Sequence, residues 1–146
     1  MPKSGVYDHL STKLDRKISL GLVGAEKGLG GPAPVIAEEY KEALALALRQ
    51  AGWYTADATP AYTLNAKMIK IDQPFIGFNF TVKATAQYSL VRVKGGDVVY
   101  EETLTLPCTV MFAEAFDGII RLRRATACSV GENITHLLNV LSQEKL

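Results

Sequence analysis

Between Ile76 and Leu90 the chain alternates without a break. Ile76, Phe78, Phe80, Val82, Ala84, Ala86, Tyr88 and Leu90 share one parity, while Asn79, Thr81, Lys83, Thr85, Gln87 and Ser89 fill the other. A period of two sustained over that length is strand periodicity. At about 3.3 Å per residue the strand would run to roughly 50 Å, far beyond the usual five or six residues, which predicts that it bends or coils. An apolar face of this length has to be covered, and the other elements read as its cover.

The segments on either side are strands as well. Before it, Tyr62, Leu64, Ala66 and Met68 alternate and Ile69 and Ile71 continue on the opposite parity, which predicts a bulge near Met68 and Ile69. After it, Val98, Tyr100, Leu104, Leu106, Cys108, Val110 and Phe112 alternate. For both even-numbered apolar sets to share a face, Leu90 must pair with Tyr100, Ala86 with Leu104, Val82 with Cys108 and Phe80 with Val110. An odd-length loop, Lys94 to Gly96, satisfies this parity. Pro107 cannot donate a ladder hydrogen bond, so this last strand is expected at an edge.

Further upstream, Ile18, Leu20 and Leu22 alternate with Ser19, Gly21 and Val23, a short first strand expected to be buried on both faces. From Val35 the period becomes helical, with Ile36, Tyr40, Ala43, Leu44, Ala47, Leu48 and Ala51 at three- and four-residue steps. Pro34 suits the first turn, Gly52 is the natural stop, and Trp53 is expected to fold back over the last turn. A second helix, from about Glu114 to Gln143, carries Val130, Ile134, Leu137, Leu138 and Leu141. Arg123, Gly118 and Gly131 interrupt it, which predicts a kink or a late start. The order β-α-β-β-β-α is an α+β pattern, an antiparallel-rich sheet with both helices packed on one face.

The length of 146 residues matches one domain. Residues 1–16 are polar with scattered Val6, Tyr7, Leu10 and Leu14 and are expected to be a tail or tether, with residues 17–146 forming the domain. Sixteen basic against fifteen acidic side chains give no general pull toward nucleic acid. Arg121, Arg123 and Arg124 are read as a solvated helix face or as partners of Glu114 and Asp117. No run reaches the 18 or so apolar residues of a membrane-spanning helix, and the first sixteen residues lack a signal peptide's apolar segment, so the chain as given is expected to be soluble.

Candidate chemistry is sparse. Gly24, Gly28, Gly30 and Gly31 lie in a loop between a strand and a helix, where backbone N–H groups can hold an anion, but neither a Walker spacing nor a Rossmann spacing is present. Gly28, Gly30 and Gly31 are the candidates for a phosphorylated ligand, and a flexible structural loop is the simpler reading. Phe78, Phe80 and Tyr88 could line an apolar ligand pocket between sheet and helix, although alternation on paired strands already explains them as core. His9 and His136 assemble no catalytic set, and Glu102 stands out only because an acid occupies apolar parity. Neither catalytic residue, metal site nor cofactor is expected. Cys108 and Cys128 lack metal-type spacing, and whether they are bridged stays open.

Four segments, ISLGLVG, EEYKEALALALRQAGW, YTLNAKMIKIDQPFIGFNFTVKATAQYSLVRV and SVGENITHLL, together resemble the small cell-envelope lipoproteins of Gram-negative bacteria. The soluble parts of these proteins are similar to the TolB amino-terminal domain and to auxiliary lipoproteins of ABC-type lipid transport systems. The resemblance spans residues 17 to 141 and implies a non-catalytic protein on the periplasmic side of the envelope. It would bind a protein partner or an apolar ligand and reach the membrane only through a lipid on a leader cysteine, while edge-strand pairing near Pro107, or Leu46, surplus to the first helix's stripe, could support an oligomer. The competing reading is a small enzyme or binding protein using the Gly24 to Gly31 loop for a phosphorylated ligand.

Overall fold

The computed structural model describes residues 7, 9–73, 80–111, 118–144 and 146, and only the backbone of Phe80 and of residues 118–122. The elements are β1 (Ile18–Ala25), α1 (Ala33–Gln50), β2 (Tyr62–Asp72), β3 (Phe80–Arg92), β4 (Val98–Val110) and α2 (Gly118–Gln143). They form a four-stranded sheet in the order β1-β2-β3-β4. β1 runs parallel to β2, whereas β2, β3 and β4 are antiparallel neighbours. The α+β architecture is therefore as expected, with one parallel pair at its first edge, where α1 carries the chain back between β1 and β2.

β3 pairs with β4 as the parity argument requires: Leu90 with Tyr100, Ala86 with Leu104, Val82 with Cys108 and Phe80 with Val110. The route to this register differs from expectation. Val91 pairs with Val98, and the Arg92 N–H bonds the Asp97 carbonyl at 2.9 Å, so the loop is Val93 to Gly96, of even length. A bulge at Val99 then supplies the odd residue and restores parity. The shift between Met68 and Lys70 is the bulge that the change of parity in β2 predicts. Pro107 faces Lys83 on the outermost strand, where its missing N–H costs no ladder bond. Of the long alternating run, residues 76–79 lie outside the described residues.

Both helices cover the even-numbered sheet face, α1 over β1 and α2 over β3 and β4. α1 ends in a Schellman motif: the Trp53 N–H reaches the Leu48 carbonyl and the Gly52 N–H the Arg49 carbonyl, with Gly52 at φ +79°. Trp53 is fully buried by this fold-back, as the sequence predicts. The main core joins Tyr40, Leu44 and Leu48 of α1 and Leu137, Leu138 and Leu141 of α2 to Leu64, Met68, Tyr88 and Leu90.

Two expectations are corrected. The described part of the expected tail is packed: Tyr7, Leu10 and Leu14 belong to the core, and the Trp53 indole N–H donates to the Ser11 carbonyl at 3.0 Å. These apolar residues fill a gap beside the end of α1 through a short turn-rich segment, whose spacing carries no sustained period. In β1, Leu22 is 83% exposed instead of buried. A bulge places Gly21 and Leu22 together opposite Asn65, which turns Leu22 out of the alternation.

Candidate functional site

The expected apolar stripe of α2 is buried through Ile134, Leu137, Leu138 and Leu141, and a second buried line runs beside it toward the start of the helix. Ala125, Ser129, Asn133, Leu137 and Leu141, every fourth residue, are all fully buried. Helical geometry places residues four apart on one face, so two polar side chains are carried into the core with the apolar ones. Both are satisfied there. Asn133 accepts the Tyr88 hydroxyl at 2.7 Å and donates through Nδ2 to the carbonyls of Ala84 (3.0 Å) and Leu104 (2.9 Å). Ser129 accepts the Ala84 N–H at 2.8 Å and donates its hydroxyl to the Leu106 carbonyl. α2 is thereby hydrogen-bonded directly to the backbone of β3 and β4, in a network whose every contact replaces water that burial removed.

Tyr88 takes the simpler of its two expected roles, that of a core residue, and joins this network with its ring edge-on to Tyr40 at 6.4 Å. Burial raises the pKa of both hydroxyls above the ordinary tyrosine value, and the neighbouring Tyr88 pushes Tyr40 further up. The Tyr40 hydroxyl has no hydrogen-bond partner among the described residues. Burial also raises Tyr100, and the carboxylate of Glu102, which accepts its hydroxyl at 2.6 Å, reinforces the shift. Glu102 is exposed and serves Tyr100, which accounts for an acid at apolar parity. Phe78 lies outside the described residues, and Phe80 contributes a backbone pair with Val110.

The glycine loop is shaped for turning. Gly28 and Gly30 have φ of +84° and +92°, a region costly for other residues, while Gly31 sits in front of Ile36. Its helix offers an anion little. Pro32 is the N-cap, without a side-chain cap, and Pro34 lacks an N–H. The N–H groups of Val35 and Ile36 both turn back to the Pro32 carbonyl at 3.1 Å. Gly24 lies in β1 instead of the loop and borders one depression together with Tyr88, which Gly28, Gly30 and Gly31 do not line; a side chain at Gly30 would face Gln73 and one at Gly31 would face Ile36. His9 bonds Asn139 at 2.7 Å, and His9 and His136 are both exposed. Among the described residues no group of three His, Cys, Asp or Glu side chains is placed to hold a metal ion, and no helix is long and apolar enough to cross a membrane.

Two concave surfaces stand out among the described residues. A groove of about 340 Å³ runs between the helices, lined by Ala43, Leu46 and Ala47 of α1 and by Cys128, Gly131 and Thr135 of α2. Leu46, surplus to the core stripe in the sequence, stands there 55% exposed. A shallow depression of about 320 Å³ lies over the bulge of β1, with Leu22, Gly24, Asn65, Lys67, Tyr88 and Glu101 among the residues around it. Lys67 is engaged by Glu26 at 2.7 Å, at a half-exposed pair of little energetic weight.

Cys108 of β4 and Cys128 of α2 form a disulfide, with their Cα atoms 5.8 Å apart. Measured from Ile134, Cys128 points away from the sheet. Measured from Ala125, fully buried three residues earlier, it is a neighbour about 60° around the helix and reaches β4.

No family model matches the chain, and no curated protein matches it. Its fold is shared with solved structures of low sequence identity. A protein assigned as a lipoprotein from Caulobacter crescentus has 15% identity and a TM-score of 0.59, over 88% of this chain and 90% of that one. A minor lipoprotein from Acinetobacter baumannii has 11% identity and a TM-score of 0.59, over 88% of this chain and 94% of that one. PelC from Paraburkholderia phytofirmans, a dodecamer, has 15% identity and a TM-score of 0.59, over 90% of this chain and 91% of that one.

Proposed function

We propose that this chain is the soluble part of a small lipoprotein of the Gram-negative cell envelope, a non-catalytic module that binds a protein partner or an apolar ligand on the periplasmic side. The observation that carries this reading is the Cys108–Cys128 disulfide, because such bridges persist in oxidising compartments and are rare in the reducing cytosol. A minor lipoprotein from Acinetobacter baumannii and a protein assigned as a lipoprotein from Caulobacter crescentus share its fold, which supports the same assignment. Likeness to the TolB amino-terminal domain and to ABC-transport auxiliary lipoproteins, which rests on the sequence segments, belongs to this proposal too. Since Cys108 and Cys128 are joined to each other, the lipid-bearing cysteine of this reading is one in a leader.

The surface that best suits a partner is the groove between α1 and α2, where Leu46 supplies an exposed anchor beside small residues that let another chain approach. Assembly of several copies is part of the proposal, by analogy with the dodecamer that shares the fold. A phosphorylated ligand at Gly28, Gly30 and Gly31 has no comparable support, because the two prolines leave that helix start short of donors.

Palmitate labelling and fractionation of the natural precursor test the reading. The expected result is a labelled product in the membrane fraction with its disulfide formed. An unlabelled product in the cytosol with both thiols free would overturn it and direct attention to the glycine loop.

A further inference from the structure

The groove between the helices has a knob on one wall and a hole on the other. α2 runs in the direction of β3, since Ala125 packs on Val82 and Asn133 bonds Tyr88 further along. α1 runs against β1, ending where the Trp53 carbonyl accepts the Ile18 N–H. β1 and β2 are parallel and β3 opposes both, so the two helices point the same way. Across the groove Ala43 to Gln50 of α1 lie alongside Cys128 to Thr135 of α2, which brings Leu46 level with Gly131. Leu46 stands 55% exposed, whereas Gly131 is an exposed position at which a Cβ would meet nothing within 4 Å. The surface charges change sign at this level. Along α1, Glu39 and Glu42 precede Leu46 and Arg49 follows it; along α2, Arg123 precedes Gly131 and Glu132 follows it, all of them exposed.

We propose that the occupant of this groove is a second copy of the chain, docked about a two-fold axis that runs along the groove, parallel to both helices. The inference rests on the reading of the groove as a partner surface and names that partner. Rotation about such an axis preserves level and exchanges the helices, so α1 of each copy lies over α2 of the other. Leu46 of each copy then enters the space above Gly131 of the other. Glu39 and Glu42 face Arg123 across the interface, and Arg49 faces Glu132, so every change of sign along one helix meets the opposite change along its neighbour. An axis across the helices would instead set Leu46 on Leu46 and Gly131 on Gly131, knob on knob and hole on hole. Leu46 supplies the desolvated centre and the charges at the rim fix the orientation.

Sedimentation equilibrium of the purified, lipid-free full chain tests this independently of palmitate labelling. A monomer with a labelled precursor sinks the second copy alone, and a dimer with an unlabelled precursor sinks the envelope reading alone. The expected result is a dimer with a micromolar dissociation constant. Leu46→Asp, which removes the knob, and Gly131→Leu, which fills the hole at an exposed position, should each weaken it at least about tenfold, with helical circular dichroism unchanged. Glu39→Lys/Glu42→Lys and Arg123→Glu should each dimerise about tenfold less well alone, whereas an equimolar mixture of the two should form a heterodimer near the original affinity, because opposite signs meet again at both ends of the two-fold. A monomeric parent chain would overturn the proposal and give the groove to a different protein. So would an assembly of any size that survives both Leu46→Asp and Gly131→Leu, or a charge-reversed mixture no tighter than its components.

Discussion

The two faces of the sheet carry similar numbers of strand residues under opposite constraints. On the covered face Tyr88, Ala84, Leu104 and Leu106 meet α2, and the polar atoms of Ser129 and Asn133 are matched to them one by one. On the open face hydroxyls pair across strands, Thr81 with Thr109 at 2.7 Å and Thr85 with Thr105 at 2.8 Å, where water is an equal substitute. A polar group on the covered face that loses its partner bears the full cost of desolvation, whereas one on the open face turns to solvent. Specific geometry is therefore concentrated beneath α2, and side-chain identity matters less outside, except where β1 bulges.

The largest effect that follows from this contrast is expected for Asn133→Ala. It leaves the Tyr88 hydroxyl and the Ala84 and Leu104 carbonyls without their protein partner, and at roughly 1 to 3 kcal/mol for each stranded group, tempered by relaxation, about 4 kcal/mol should be lost. Chemical denaturation measures it. Tyr88→Phe in the same background should recover part of the loss, since it removes one of the stranded groups. If the two changes merely add, the network is not the unit described here.

Alkaline pH sharpens the contrast from another side. Tyr40 and Tyr88 have pKa values raised by burial above the ordinary value of 10.0, so above pH 10 the unfolded chain releases their protons while the folded chain holds them. The unfolded state then binds fewer protons than the folded state, and stability, complete below pH 10, falls as pH rises further. Each tyrosine contributes a slope of about 1.4 kcal/mol per pH unit, giving a loss of roughly 3 kcal/mol at pH 11 for the pair. Denaturation midpoints between pH 8 and 11 should reveal it, with a shallower fall in Tyr88→Phe. A flat profile would mean that the hydroxyls reach water.

What could be read in the sequence divides along the same line. The register of β3 on β4 was legible because a one-residue slip would expose a whole apolar face, yet parity fixes only the sum of loop and bulge. The even loop with a bulge at Val99 and the odd loop without one are indistinguishable by that argument. Ser129 and Asn133 escaped because hydropathy marks them as polar. Their signal is the four-residue ladder from Ala125 to Leu141, which becomes visible once burial is sought by spacing as well as by apolarity. The same offset concealed the closeness of Cys128 to Cys108. Tyr7, Leu10 and Leu14 were misread because they pack from a turn, which leaves no period to detect. Among the candidate site residues, Tyr88 was legible as core, whereas the want of donors at the glycine loop depended on how Val35 and Ile36 turn to Pro32.

The smallest effect concerns the exception on the open face. At the bulge of β1, the Asn65 side chain lies across Gly21 to accept the Leu22 N–H at 2.8 Å, and a Cβ on Gly21 would stand 2.2 Å from Asn65 Oδ1 and 2.5 Å from Thr63 Cγ2. Gly21→Ala must therefore push both side chains aside and break the bond that holds the bulge, at a cost of about 1 to 2 kcal/mol. Both obstacles are ends of side chains on an open face, which keeps the effect below that of Asn133→Ala, where nothing can move into solvent. Asn65→Ala removes the nearer obstacle, so Gly21→Ala introduced into that background should cost less than it does alone. Equal costs in the two backgrounds, measured by denaturation, would place the intolerance of Gly21 in the backbone of β1 and leave the open face uniformly permissive.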